Sequence, residues 1–328
     1  MSVVEVVTGA RLHFGLICGG KSSANRFGGI GLMLGSPGWR ISASLSSDSS
    51  CTASTAEVRH RITRVLSEVC HDSGLSGLRV TVHDEIPLHC GLGAGTQITL
   101  ALASAARITA GQPRPADSMP LATRLNRVRR SAVGAYGFDR GGFIVDDGQN
   151  TDRSVRQLHN YEFPDRWRVV LLSPIEEAGL SGTQEESVFR HQHYMKESMI
   201  QTQLRLIHDS IIPSVTKQEF EFFCGALEEY GRNAGNFFRR QQGGVFSGSV
   251  IRQLLQTREF KDLQPVQSSW GPTVAVFTQT RNHADEVVAR LQRSSFERNV
   301  CCRIAEPLNC GASVKTVAPE DPDYVVRG

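Results

Sequence analysis

Along the chain, apolar residues switch repeatedly between a period of two and a period near 3.6, the sign of strands and helices in alternation. The β-branched run at 3–7 and the alternating stretch at 39–45, Trp-Arg-Ile-Ser-Ala-Ser-Leu, read as two strands ahead of the first helix. Val58, Ile62, Val65, Leu66 and Val69 then recur at helical spacing, which predicts a helix over 55–69 closing near Gly74. Leu78, Val80 and Val82 mark the next strand. Further helices are predicted at 116–130, 185–210, 218–234 and 284–292, and further strands at 143–145, 167–172 and 273–278. A polar stretch within 148–165 marks a boundary between two halves. Such alternation, without repeats, belongs to an α/β or α+β enzyme rather than a bundle or solenoid.

Composition narrows this further. A chain of 328 residues that is 40% hydrophobic and 21% charged suits two domains, or one large one, and excludes collagen-like and disordered classes. No run approaches the roughly 18 apolar residues of a membrane helix, so no membrane partner is expected. The opening Met-Ser-Val-Val-Glu has an acid where a signal peptide carries cations, and a cytoplasmic location is expected. The eight cysteines form no Cys-x-x-Cys pair and read as mostly buried thiols rather than a zinc or disulfide framework. The net charge of +3 is small, yet 31 of the 36 basic residues are Arg and five are Lys. That bias follows from a GC-rich genome or from sites for phosphate and carboxylate, which the planar guanidinium grips in pairs. No aromatic-interleaved basic cluster appears, so no nucleic-acid partner is expected.

The most informative stretch is Pro-Leu-His-Cys-Gly-Leu-Gly-Ala-Gly-Thr-Gln at 87–97, running into an Ala-rich helix at 98–106. Gly91, Gly93 and Gly95 remove Cβ atoms so that backbone N–H groups can close on a ligand. The helix after them aims its N-terminal dipole and unpaired donors at the same place, as an anion site does, although a purely structural turn has the same composition. One helix end contributes about 0.3–2 kcal/mol to an anion, so a di- or triphosphate needs cations as well. The spacing is neither a Walker A loop nor a dinucleotide fingerprint.

The run 87–96, including Gly91, Leu92, Gly93, Ala94, Gly95 and Thr96, resembles the phosphate loop of the GHMP kinase superfamily, Pro-x-x-x-Gly-Leu-Gly-Ser-Ser. Ala94 and Gly95 stand where that pattern has serines, which in the kinases help hold magnesium and the triphosphate. The departure argues against ATP-dependent phosphoryl transfer, the alternative activity. Five further stretches, 10–16, 26–32, 130–143, 179–186 and 267–273, resemble a non-kinase branch of that superfamily, the β-ribofuranosylaminobenzene 5'-phosphate synthases of methanopterin biosynthesis. The resemblance implies an α+β, two-domain GHMP-kinase-like fold. Residues 1–160 would form an N-terminal, ribosomal protein S5 domain 2-like part and 161–328 a C-terminal α/β part.

The same resemblance implies a decarboxylating pentosyltransferase that condenses 4-aminobenzoate with 5-phosphoribosyl pyrophosphate, with Mg2+ as cofactor and a homodimeric assembly. Such chemistry needs cations and backbone donors for the leaving pyrophosphate and a carboxylate near the oxocarbenium-like sugar. Arg11 and His13, just past the first strand, are candidates to bind phosphate or the benzoate carboxylate; a core histidine is the bland reading of His13. Arg26 with Gly28 and Gly29 reads as a second ligand loop, or else a hairpin or bulge. Asp139, beside Arg140, is the first candidate for magnesium or oxocarbenium stabilisation, and Asp146 the second, although Asp146-Asp147 also reads as a turn. Arg129 and Arg130 are expected to close a helix and satisfy its dipole. Ser268, Ser269 and Gly271 are implied as a second wall over the phosphate loop, and Glu185 as a weaker candidate.

Overall fold

The computed structural model describes residues 2–19, 27–149, 156–179, 187–188 and 194–318. The first sheet is built on two long strands, β1 (Val3–Cys18) and β2 (Phe27–Ser46). Both run well beyond the stretches predicted from alternation. Val4, Val6, Leu12, Phe14 and Ile17 of β1 are all buried, so the strand continues through Gly9 and Arg11, which interrupt its apolar pattern. Gly28, Gly29 and Gly31 therefore lie inside β2, paired with β1, and not in a ligand loop. A Cβ at Gly28 would overlap the Asp146 carbonyl and one at Gly31 the Leu12 carbonyl, so these glycines serve close backbone approach between strands.

After β3 (Ser50–Thr52), α1 (Ala56–Ser73) starts at Thr55, whose side chain accepts from Val58 N, and ends at the left-handed Gly74. Then follow β4 (Gly77–Asp84), α2 (Ala94–Thr109), α3 (Met119–Arg124), α4 (Val133–Arg140), β5 (Phe143–Gln149) and β6 (Arg156–Tyr161). The helix predicted over 116–130 is reduced to α3, because Asn126 turns left-handed (φ 55°) and Arg127 N bonds back to Ala122 O. Residues 125–132 then run outside any helix, taking Arg129 and Arg130 with them.

The second sheet is antiparallel, in the order β10 (Val300–Ala305), β7 (Arg168–Pro174), β9 (Val274–Thr278), β8 (Pro265–Gln267). Its helices are α5 (Glu197–Arg205), a π-helical stretch Leu206–Ile211, α6 (Ile212–Lys217), α7 (Phe220–Phe237), α8 (Arg239–Gln242), α9 (Ser249–Leu254) and α10 (Arg281–Gln292). The described end of the stretch predicted as one helix at 185–210 is thus α5 and the π-helix. The last strand, β11 (Ser313–Val317), crosses back to pair with β1 in the first sheet, so the two sheets do not divide the chain into two consecutive halves. An aromatic core joins them: Phe14 packs on Phe143 and on Phe277, and Phe163 on Phe223 and Trp167. Among the described residues no helix is long and apolar enough to cross a membrane. Of the eight free cysteines only Cys18, Cys70 and Cys224 are buried, while Cys301 and Cys310 are exposed, so the expectation of mostly buried thiols fails.

Candidate active site

Three segments distant in sequence are tied together around the glycine turn. Arg11 N, on β1, donates to Leu92 O at 2.9 Å. Ser268, fully buried in the turn between β8 and β9, donates from Oγ to Gly91 O at 2.7 Å and accepts from His13 N at 3.1 Å. Ser269 N donates to His13 O at 2.7 Å, and a Cβ at Gly91 would overlap Ser268 O. The 267–271 turn is therefore the second wall that the motif implied, with Ser268 as its rivet and Ser269 and Gly271 on the cleft surface.

Helix α2 begins at Ala94, one turn earlier than the Ala-rich run suggests, and Ala94, Gly95 and Thr96 form its first turn. Its N-cap, Gly93 (φ 74°), has no side chain to satisfy the first N–H groups; Thr96 N turns back to Gly93 O, and the N–H groups of Ala94 and Gly95 are left for a ligand. The turn is held rigidly. Trp39 Nε1 donates to Ala94 O, Thr8 Oγ1 donates to Gln97 Oε1, and Gln97 Nε2 donates to Gly134 O at 2.8 Å.

In front of this turn opens a cleft of about 750 Å³, ample for a phosphorylated sugar. Arg11, Arg61, Arg64, Arg127, Arg129 and Arg130 line it, against two carboxylates, Glu57 and Glu68. Glu57 already faces His89 Nε2 at 3.1 Å. Burial holds the Arg61 and Arg127 guanidiniums below their ordinary pKa, and neighbouring arginines push the same way. His13, 6% exposed, has its pKa lowered to about 3 by burial and by Arg11, and is a neutral imidazole at ordinary pH. It contributes no charge to an anion; its Nε2 has no hydrogen-bond partner among the described residues. The arrangement can bind a multiply charged anion with cations, helix N–H groups and a neutral ring.

Other expected residues lie elsewhere. Asp139, near the end of α4, accepts from Ser118 N and Ser118 Oγ, both at 2.7 Å, and does not line the cleft. Asp146 is fully buried, paired with Arg156 at 2.9 Å and accepting from Ala132 N and Gly148 N. Arg140 is exposed at the helix end, away from the cleft. Arg26 and Glu185 fall outside the described residues. Neither proposed magnesium ligand thus reaches the anion site, and among the described residues no three metal-binding side chains cluster anywhere. The described cleft does not fit a magnesium ion held by paired carboxylates. Conversely, Arg129 and Arg130, expected to serve a helix end, line the cleft. His60, Arg61, Arg64 and Arg127 were not anticipated, since a polar face on α1 opposite Val58, Ile62 and Val65 reads as ordinary solvated surface.

A family model described as GHMP kinases N terminal domain matches residues 60–140, the span from α1 through the glycine turn to α4. The chain is similar to the β-ribofuranosylphenol 5'-phosphate synthase of Archaeoglobus fulgidus, 27% identical over 95% of this chain and 100% of the relative. The counterpart from Methanothermobacter thermautotrophicus is 25% identical over 69% of this chain and 75% of the relative. A solved structure of homoserine kinase from Cytophaga hutchinsonii superposes with a TM-score of 0.64 over 95% of this chain and 97% of that one, at 14% identity. Residues 60–140 thus match the N-terminal domain of the GHMP kinases, and the chain has a GHMP-kinase-like fold. The solved kinase shares the fold alone, whereas the sequence relatives are synthases.

Proposed function

We propose that the chain is a decarboxylating pentosyltransferase that joins 5-phosphoribosyl pyrophosphate to 4-aminobenzoate, releasing pyrophosphate and carbon dioxide in a methanopterin-type pathway. The observation that carries this reading is the cleft itself: an arginine-lined anion site at a glycine turn whose positions 94 and 95 lack the hydroxyls of a kinase loop. The synthase names of the sequence relatives support it.

In this reaction the anomeric carbon–oxygen bond breaks, and its electron pair leaves with pyrophosphate. The ring carbon bearing the carboxylate bonds to the anomeric carbon, and carbon dioxide departs, returning its bonding pair to the ring. The α2 N–H groups and the cleft arginines hold the anions and meet charge that grows on the leaving group. Neutral His13 and buried Ser268 set the wall against which the substrate lies. Magnesium belongs to this reading as the counter-ion that phosphoribosyl pyrophosphate brings with it, not as an ion held by carboxylates of the chain.

The relatives are named for a phenol product, which corresponds to a hydroxyl in place of the amine; both groups donate electrons to the attacking carbon. Incubation with phosphoribosyl pyrophosphate and either 4-aminobenzoate or 4-hydroxybenzoate, followed by mass spectrometry, tests the proposal. A carboxyl-free ribosyl phosphate adduct formed faster from the amine is expected. An adduct retaining the carboxylate, or none from either acceptor, would overturn it.

A further inference from the structure

Position 95 has an unexpected neighbour. A Cβ built on Gly95 would overlap Nη2 of Arg61 and lie 3.2 Å from its Cζ. The guanidinium of α1 thus occupies the space over the first turn of α2 that a side chain at position 95 would fill. Among the described residues this side chain has no hydrogen bond or ion pair. Arg64 and Arg127 line the same cleft; burial and then Arg64 disfavour the charge of Arg61, and Glu57 offsets this only in part. A cation placed at the positive end of a helix among other cations is favourable only when an anion joins them.

We propose that Arg61 is the catalytic cation for the departing pyrophosphate, admitted to the N-terminus of α2 because residue 95 has no side chain, with Arg127 beside it. This rests on the transferase reading of the cleft. As the anomeric carbon–oxygen bond breaks, the electron pair that passes to pyrophosphate meets a guanidinium that donates paired hydrogen bonds. One substitution thereby removes a hydroxyl and admits a cation, which makes the loop a receiver of pyrophosphate rather than a donor of a phosphoryl group.

Titration calorimetry with inorganic pyrophosphate tests this on the full chain and on Arg61→Ala, Gly95→Ala and the double variant, with Arg59→Ala as a control. Arg59 is exposed on the same helix and outside the cleft, so it reports loss of charge alone. Gly95→Ala keeps Arg61 but displaces the far end of a flexible side chain, at little cost to the helix. Arg61→Ala and Gly95→Ala are each expected to weaken pyrophosphate binding roughly tenfold or more, with the double variant no weaker than Arg61→Ala. Thermal midpoints and 4-aminobenzoate binding should stay near those of the parent. Binding within about twofold of the parent in both single variants, or losses that add in the double variant, would overturn the proposal. If the parent turns over its substrates but binds pyrophosphate independently of Arg61, this inference alone fails. If the parent binds neither pyrophosphate nor phosphoribosyl pyrophosphate, the transferase reading falls with it.

Discussion

Asp139 accepts both hydrogen bonds that Ser118 can donate, and its carboxylate fastens the start of α3 to the end of α4. Asp139→Asn turns one acceptor into a donor facing a donor, so the chain should lose about 1–3 kcal/mol of stability while folded molecules keep their turnover. Denaturant titration beside rates normalised to folded protein checks this; a large loss of rate at unchanged stability would return Asp139 to the site. His13 makes a second prediction. Its folded pKa of about 3 lies below the ordinary 6.5, so between those values the unfolded chain binds the extra proton. Its contribution to stability is complete above pH 6.5 and is lost as pH falls toward 3, by at most about 1.4 kcal/mol per pH unit. His13→Gln should flatten the fall in thermal midpoint between pH 6.5 and 5, and an unchanged slope would show that His13 is not held neutral. Neither role was readable from residue type, because an Asp beside Gly and a His on a strand serve structure or chemistry according to what faces them.

At the scale of elements, α1, β4, α7, β9 and α10 were legible because their apolar periods are unbroken and, for α1, because Thr55 and Gly74 punctuate both ends. The long strands were not. Gly9, Arg11 and the glycines at 28, 29 and 31 look like breaks in a pattern, whereas in the sheet they permit close pairing and carry Arg11 to the cleft. Reading those glycines as breaks made a ligand loop of β2, while the long helix at 116–130 failed for a separate reason, the left-handed turn at Asn126. The rivet at Ser268 was legible only through the motif, since nothing local says that its Oγ joins Gly91 O to His13 N across more than 170 residues. Ser268→Ala leaves both groups unpaired in a buried place, which should cost about 1–3 kcal/mol and raise the KM for phosphoribosyl pyrophosphate as the wall loosens. Melting curves with steady-state kinetics decide the matter; a stability loss with KM unmoved would make Ser268 structural only.

For the whole molecule, the net charge of +3 conceals six arginines gathered around one cleft. Much of the Arg excess remains surface, but the part that concerns function is assembled from β1, α1 and the 126–131 segment, an association that only folding creates. The return of β11 to the first sheet and the shared aromatic core make the cleft part of one packed body rather than a seam between independent halves. The glycine turn and its wall are those of a phosphate-binding fold, while the cations around it suit a leaving anion. The most direct test follows 4-aminobenzoate labelled in its carboxyl carbon, incubated with phosphoribosyl pyrophosphate, magnesium and the protein. Labelled carbon dioxide and pyrophosphate should appear in equal amounts and require phosphoribosyl pyrophosphate but not ATP; ATP consumption with the label still on the ring would contradict the account.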